Sequence, residues 1–210
     1  MKTPVSNVTV VAVCPGDGPA LDAAMGRVRD ALSNGEGAWR FVFVDDGTDD
    51  GTFARLLDAA RGESRIGVMR QDRRRGFGAA LRIGLARCAS PIVCGVEVDE
   101  GFSPDRLADL VRRVEAGADV ATGRAPGWAC AFRAERIDLK RGRRLPGSAR
   151  LAVEQIADRA RRAGLALHGD EGFEAAGTGR GTGIGGQLRK FGIAIMSRGA
   201  RSGGAPQRAA

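Results

Sequence analysis

The sequence predicts an α/β protein: a mostly parallel sheet flanked by helices, with a small irregular C-terminal part. Three observations carry that expectation. Apolar runs rich in β-branched residues recur through the first 123 positions. Segments with helical spacing separate them, the mark of βαβ units. Polar, glycine-rich clusters come after the runs, where ligands bind beyond the carboxyl ends of parallel strands.

"VTVVAVC" (Val8–Cys14) is a continuous apolar run, as in a strand buried on both faces. Pro15 and glycines break it, and "ALDAAMGRVRDAL" (20–32) then places apolar residues at helical spacing. "RFVFV" (40–44) is the second strand, and "TFARLLDAA" (Thr52–Ala60) is a helix behind a Thr/Asp start signal. "RIGVMR" (65–70) reads as a strand and "GFGAALRIGLARC" (76–88) as a helix entered through glycines. "PIVCGVEV" (91–98) is a strand, "SPDRLADLVRRVEAG" (103–117) a helix opened by Ser-Pro-Asp, and "ADVATG" (118–123) a strand. Beyond Gly123 the periodicity loosens. It predicts a short strand at Ala129–Arg133, an amphipathic helix over 149–164, a last strand over 165–169 and a short terminal helix over 187–197. The tail from 198 to 210 is expected to be disordered.

Size and composition suit one globular domain with a small appendage: 210 residues, 43% apolar and 28% charged. The longest apolar runs are too short for a bilayer, and "MKTPVSN" lacks the apolar stretch of a signal peptide, so the expected location is cytoplasmic. The four cysteines (Cys14, Cys88, Cys94, Cys130) show no CxxC or Cys/His spacing. Cys14 and Cys94 fall in strand-like runs and are expected to be reduced core thiols. His168 is the single histidine, which argues against a zinc site and against a Ser-His or Cys-His nucleophile that does not use it. Charge is uneven: residues 1–123 carry net −2 and residues 124–210 net +10. The basic part would suit phosphates on a substrate, an anionic membrane surface or nucleic acid. "RIDLKRGRR" (136–144) has no interleaved aromatics, so nucleic acid is not an expected partner.

Two acidic clusters carry the chemistry. In "VFVDDGTDDGT" (42–52), carboxylates at a strand end could accept from a nucleobase ring N–H or from ribose hydroxyls, and the glycines let backbone approach a ligand. The alternative is an Asx turn with Asp49 or Asp50 capping the next helix. Capping leaves Asp45 and Asp46 unexplained, because both would crowd like charges at a partly buried strand end unless a ligand used them. In "VEVDEGFSPD" (96–105), Glu97 and Asp99 stand two apart and can converge on one hard divalent cation, Mg2+ or Mn2+. A departing sugar diphosphate needs such an ion. The alternative is an exposed acidic loop, which Glu100 fits better. "DRRRGFG" (72–78) lacks the lysine of a phosphate-binding P-loop and reads as a basic turn, from which Arg74 or Arg75 could touch phosphates. "GTGRGTGIGG" has no strong strand before it, so it is not read as a dinucleotide fingerprint.

Taken in this order, "VTVVAVCPGDGP", "VDDGTDDGT", the glycine-bearing helix, "VEVDEGFSPD" and "GADVATGR" resemble family 2 glycosyltransferases of the GT-A fold. The subgroup they look most like is the small polyprenyl- and dolichyl-phosphate mannose synthases and their bacterial relatives. The resemblance covers residues 8–124 and implies a metal-dependent, inverting transfer from a nucleoside-diphosphate sugar, with a polyprenyl phosphate as one acceptor class. It implies that Pro15 opens the nucleotide-contacting loop, that Asp46 binds the nucleobase with Asp45 beside it in the nucleotide site, and that Glu97 and Asp99 occupy the metal-binding positions, with Asp99 the expected ligand. Arg124 matches an arginine that contacts the nucleotide sugar, and Arg180 one in a loop that closes over the diphosphate. Residues 1–124 then form the nucleotide-sugar-binding half, and 125–197 the basic acceptor and closing-loop part of the same domain. The sequence departs from the family in the first-strand loop, "PGDGPA", and in a shortened stretch after Arg124. Those departures support a second reading, an impaired GT-A domain that binds nucleotide or a partner. The basic second half and "FGIAIM" (191–196) would suit the inner face of a membrane.

Overall fold

The computed structural model describes residues 8–16, 18–33, 39–99, 101–123, 128–139 and 144–169. Twelve elements alternate along them: β1 (Val8–Cys14), α1 (Gly18–Ser33), β2 (Trp39–Asp45), α2 (Thr52–Ala60), β3 (Ile66–Arg70) and α3 (Phe77–Leu85), then β4 (Ile92–Glu97), α4 (Pro104–Glu115), β5 (Val120–Gly123), β6 (Ala129–Arg133), α5 (Ala149–Arg162) and β7 (Leu167–Gly169). Every strand and helix expected within these residues is present. The expected terminal helix over 187–197, the tail, Arg124 and Arg180 lie outside the described residues.

One seven-stranded sheet runs in the order β3-β2-β1-β4-β6-β5-β7. β1 is an interior strand and pairs in parallel with β2 and β4, while β6 lies antiparallel between β4 and β5. The register aligns the strand ends. Cys14 of β1 sits opposite Asp45 of β2, and Val13 sits opposite Glu97 of β4, so three strands finish level with one another.

Both faces of the sheet are covered, which explains why β1 is apolar at nearly every position. One layer joins Val10 and Ala12 of β1 to the apolar stripes of α1, α2 and α4. The other joins Val11 and Val13 to α3 and α5. Gly84 lets α3 lie close to the sheet, because a Cβ there would overlap the Val11 side chain. The two expected core thiols, Cys14 and Cys94, are free and buried, and burial pushes both thiols up. Among the described residues no helix is long and apolar enough to cross a membrane.

Candidate active site at the strand ends

The aspartate loop begins inside the core. Asp45 is fully buried. Its Oδ1 accepts from the Thr48 backbone N–H at 3.0 Å, forming a tight turn. Its Oδ2 faces Arg70 Nε at 3.1 Å, an ion pair without hydrogen-bond alignment. Arg70 also donates to the Thr48 carbonyl and lies over the Phe53 ring at 5.4 Å, so this arginine ties the ends of β2 and β3 together.

Asp46 is held still more firmly. Its Oδ1 accepts from Gln71 Nε2, from Arg75 N at 3.0 Å and from Gly76 N at 3.1 Å. Its Oδ2 accepts from Gly76 N at 3.0 Å, and its own N–H donates to the Cys14 carbonyl at 3.0 Å. The crowding expected of two adjacent carboxylates is therefore relieved by the protein itself, through Arg70 and the 71–76 loop. That loop packs so tightly that Gly47, at φ +68°, has no room for a Cβ against the Arg73 backbone. Asp50, expected as a helix cap, accepts from Thr52 N at 3.0 Å, but the cap position itself is Gly51 in the left-handed region. Hydrogen bonds from Thr52 hold the Asp50 carboxyl well below the usual carboxylate range.

The second cluster sits one strand over from β1. The Val98 N–H continues the ladder to Val13 O at 2.8 Å, and Val98 is buried. Glu97 and Asp99 flank it on the alternate side, as extended backbone requires. Asp99 Oδ1 accepts from Gly101 N at 3.0 Å, which fixes the turn into α4. Burial raises the Glu97 carboxyl first, and the charges of Asp99 and then Asp46 raise it further. The acids of β2 and β4 thus share one electrostatic neighbourhood.

Pro15, Asp45, Asp46, Glu97 and Asp99 are brought together at the ends of three adjacent strands. Arg74 reaches the same cleft, since a Cβ on Gly16 would lie 3.3 Å from its Nη2. Sequence reasoning missed Gln71 and Arg70 here. Their only signal was position, directly at and after the end of β3. Glu97 and Asp99 offer hard oxygen donors on one side of a strand, which suits Mg2+ or Mn2+. Among the described residues no three Asp, Glu, His or Cys side chains form a complete cage, so such an ion would take its remaining ligands from substrate and water.

Known proteins share this sheet architecture. A mannosyltransferase from Pyrobaculum calidifontis, solved with GDP-Man and Mn2+, superposes with TM-score 0.62 at 17% identity over 95% of this chain and 66% of its own. Glucosyl-3-phosphoglycerate synthase from Mycobacterium tuberculosis, solved with Mn2+ and UDP, superposes with TM-score 0.61 at 16% identity over 78% of this chain and 69% of its own. These likenesses establish the GT-A fold. In sequence, a polyprenol monophosphomannose synthase of Mycolicibacterium smegmatis is 29% identical over 124 residues, 57% of this chain and 45% of that protein. An uncharacterized glycosyltransferase of Mycobacterium tuberculosis is 29% identical over 117 residues, 56% of this chain and 48% of that protein. The chain spans about half the length of these curated relatives. The model of glycosyl transferase family 2 matches residues 17–160, from the first loop into the last turn of α5, and the chain belongs to that family.

Proposed function

We propose that the chain transfers a sugar from a nucleoside-diphosphate sugar, with inversion and with the help of Mg2+ or Mn2+. The observation that carries this reading is the strand register, which brings the end of β2 leading into Asp46 and the end of β4 at Glu97 level on either side of β1. The nucleobase would lie over Asp46 and Gln71. Gln71 is 2% exposed, and its Oε1 has no hydrogen-bond partner among the described residues, so it can accept from a base N–H. Pro15 would border the base, and buried Asp45 would hold the loop in shape. Asp99, with Glu97, would hold the divalent ion, which when bound neutralises charge on the leaving diphosphate. Arg124 and Arg180, which lie outside the described residues, are the proposed further cations on that diphosphate, and Arg74 at the Gly16 loop is a third candidate. A lipid phosphate acceptor, such as a polyprenyl phosphate at the inner membrane face, carries its own nucleophilic oxygen and would need no strong protein base.

A specific observation favours a second reading, a domain that binds nucleotide without turnover. The Asp46 carboxylate already accepts from three protein donors, one of them shared between its two oxygens, and little of it remains for a base. Calorimetry with UDP, GDP and their sugars, with and without Mn2+, paired with an assay for released nucleoside diphosphate, separates the two. Mn2+-dependent binding with release supports the transferase, and binding without release under any acceptor supports the second reading. No binding of any nucleotide sinks both.

A further inference from the structure

Adjoining the strand-end cleft, with Gln71 and Arg74 common to both, the chain holds a cavity of about 920 Å3 against α3. Five arginines line it: Arg73, Arg74 and Arg75 of the β3–α3 loop, Arg82 of α3, and Arg144. No acidic residue is among the described residues lining it, and neither Asp46 nor Asp99 borders it. The remaining lining is largely apolar, with Ile83 on the helix and Leu145 beside Arg144. The volume is that of a small-molecule site.

Such a concentration of like charge needs a reason. A basic surface that only keeps a protein soluble spreads its charges into water, whereas a concave wall of one sign focuses the field inward. Asp72 offsets part of this, pairing with Arg75 at 2.9 Å. The crowding nevertheless extends to the neighbouring helix. Arg159 of α5 is held below its ordinary value by burial first, and then by the charges of Arg162 and Arg82, with Asp138 acting in the opposite direction. All five lining cations are arginine, and the planar guanidinium fork suits bidentate contacts to phosphate oxygens.

We propose that this cavity is an anion site beside, and not including, the Glu97 and Asp99 position, taking a ligand with two or more clustered phosphates. A free polyphosphate and a lipid headgroup bearing two phosphates share that chemistry. The site does not depend on the glycosyltransferase reading. It does share a wall with the cleft, because the loop supplying three of its arginines is the one whose backbone N–H groups hold Asp46. Arg74 also reaches toward Gly16, so Arg82 and Arg144 are the diagnostic residues.

The test uses the full chain in EDTA without nucleotide. Sodium tripolyphosphate is titrated by calorimetry, and phosphatidylcholine vesicles with or without cardiolipin are co-sedimented. Saturable binding is expected in at least one arm, with tripolyphosphate alone identifying a free ligand and cardiolipin alone a headgroup. The Arg82→Ala/Arg144→Ala double variant should bind roughly tenfold to hundredfold more weakly, from the loss of two charge-assisted contacts. The charge-matched Arg106→Ala/Arg112→Ala variant on α4 should change by less than about threefold, as screened surface charges do. Asp99→Asn should bind as the parent does. Equal weakening in both double variants would mean diffuse attraction and overturn the site. So would absence of binding in both arms, or binding that Asp99→Asn abolishes. Arg144 is exposed, so Arg144→Glu alone keeps the comparison available should the double variant melt early.

Discussion

Asp46 and Asp99 are both acids just past a strand end, but they are held in different ways. Asp46 accepts from three separate groups across 25 to 30 residues of chain, two of them backbone N–H donors with nowhere else to turn. Asp46→Asn would aim an amide donor at donors and leave buried groups unpaired. A loss of about 2–3 kcal/mol in urea unfolding is expected. Asp99 makes one local bond to Gly101 and is half-buried, so Asp99→Asn should stay within about 0.5 kcal/mol of the parent. The same Asp99→Asn change should remove Mn2+-dependent nucleotide binding in calorimetry. If instead it unfolds the chain as readily as Asp46→Asn, Asp99 is structural and the metal assignment goes. The acids were legible in the sequence because polar residues after an apolar run mark strand ends. Their partners were not. Gln71 and the Arg75 and Gly76 N–H groups meet Asp46 only through the fold, and no local spacing encodes a contact of that range.

At the scale of elements, the periodic segments were legible and the order of strands only in part. A run such as Val8–Cys14 names itself as an interior strand, since only burial on both faces tolerates so continuous an apolar stretch. The five residues of β6 carry no such mark. "ACAFR" does not state that it inserts antiparallel between β4 and β5, although that insertion makes β5 reach the sheet at all. The glycines of α3 were read as a helix entry, and the structure adds a packing role. Gly84 lies against Val11 with no space for a methyl group. Two effects oppose in Gly84→Ala: helix propensity favours alanine by about 1 kcal/mol, while overpacking costs about 1–3 kcal/mol. Overpacking should win, because β1 is pinned on both sides by parallel neighbours and has no freedom to retreat. A net loss of about 1–2 kcal/mol in urea unfolding is expected, and a gain would mean that α3 can lift from the sheet.

Across the whole molecule, the proposed ligand site is a seam between strands more than a property of any one of them. β2 leads into Asp46, β4 contributes Glu97 and leads into Asp99, β1 lies between, and the loop after β3 closes over the top through Gln71 and Arg75. Nucleotide and metal bound there would join segments that lie far apart in the chain, so their binding energy should appear as resistance to global unfolding. At about 100 times Kd, a ligand that binds only the folded state adds about 2.7 kcal/mol. For a domain of this size that corresponds to a rise of roughly 5–10 °C in Tm. The rise should require Mn2+ and nucleotide together, since among the described residues the protein offers no complete cage for the ion alone. Asp99→Asn should abolish it without lowering the ligand-free Tm, which separates loss of binding from loss of fold. The arginine cavity provides an internal contrast, because tripolyphosphate in EDTA should raise Tm in Asp99→Asn as much as in the parent. Should nucleotide with Mn2+ stabilise both proteins equally, the strand-end acids do not hold the donor, and the Glu97 and Asp99 pair would be no more than an acidic turn ahead of α4.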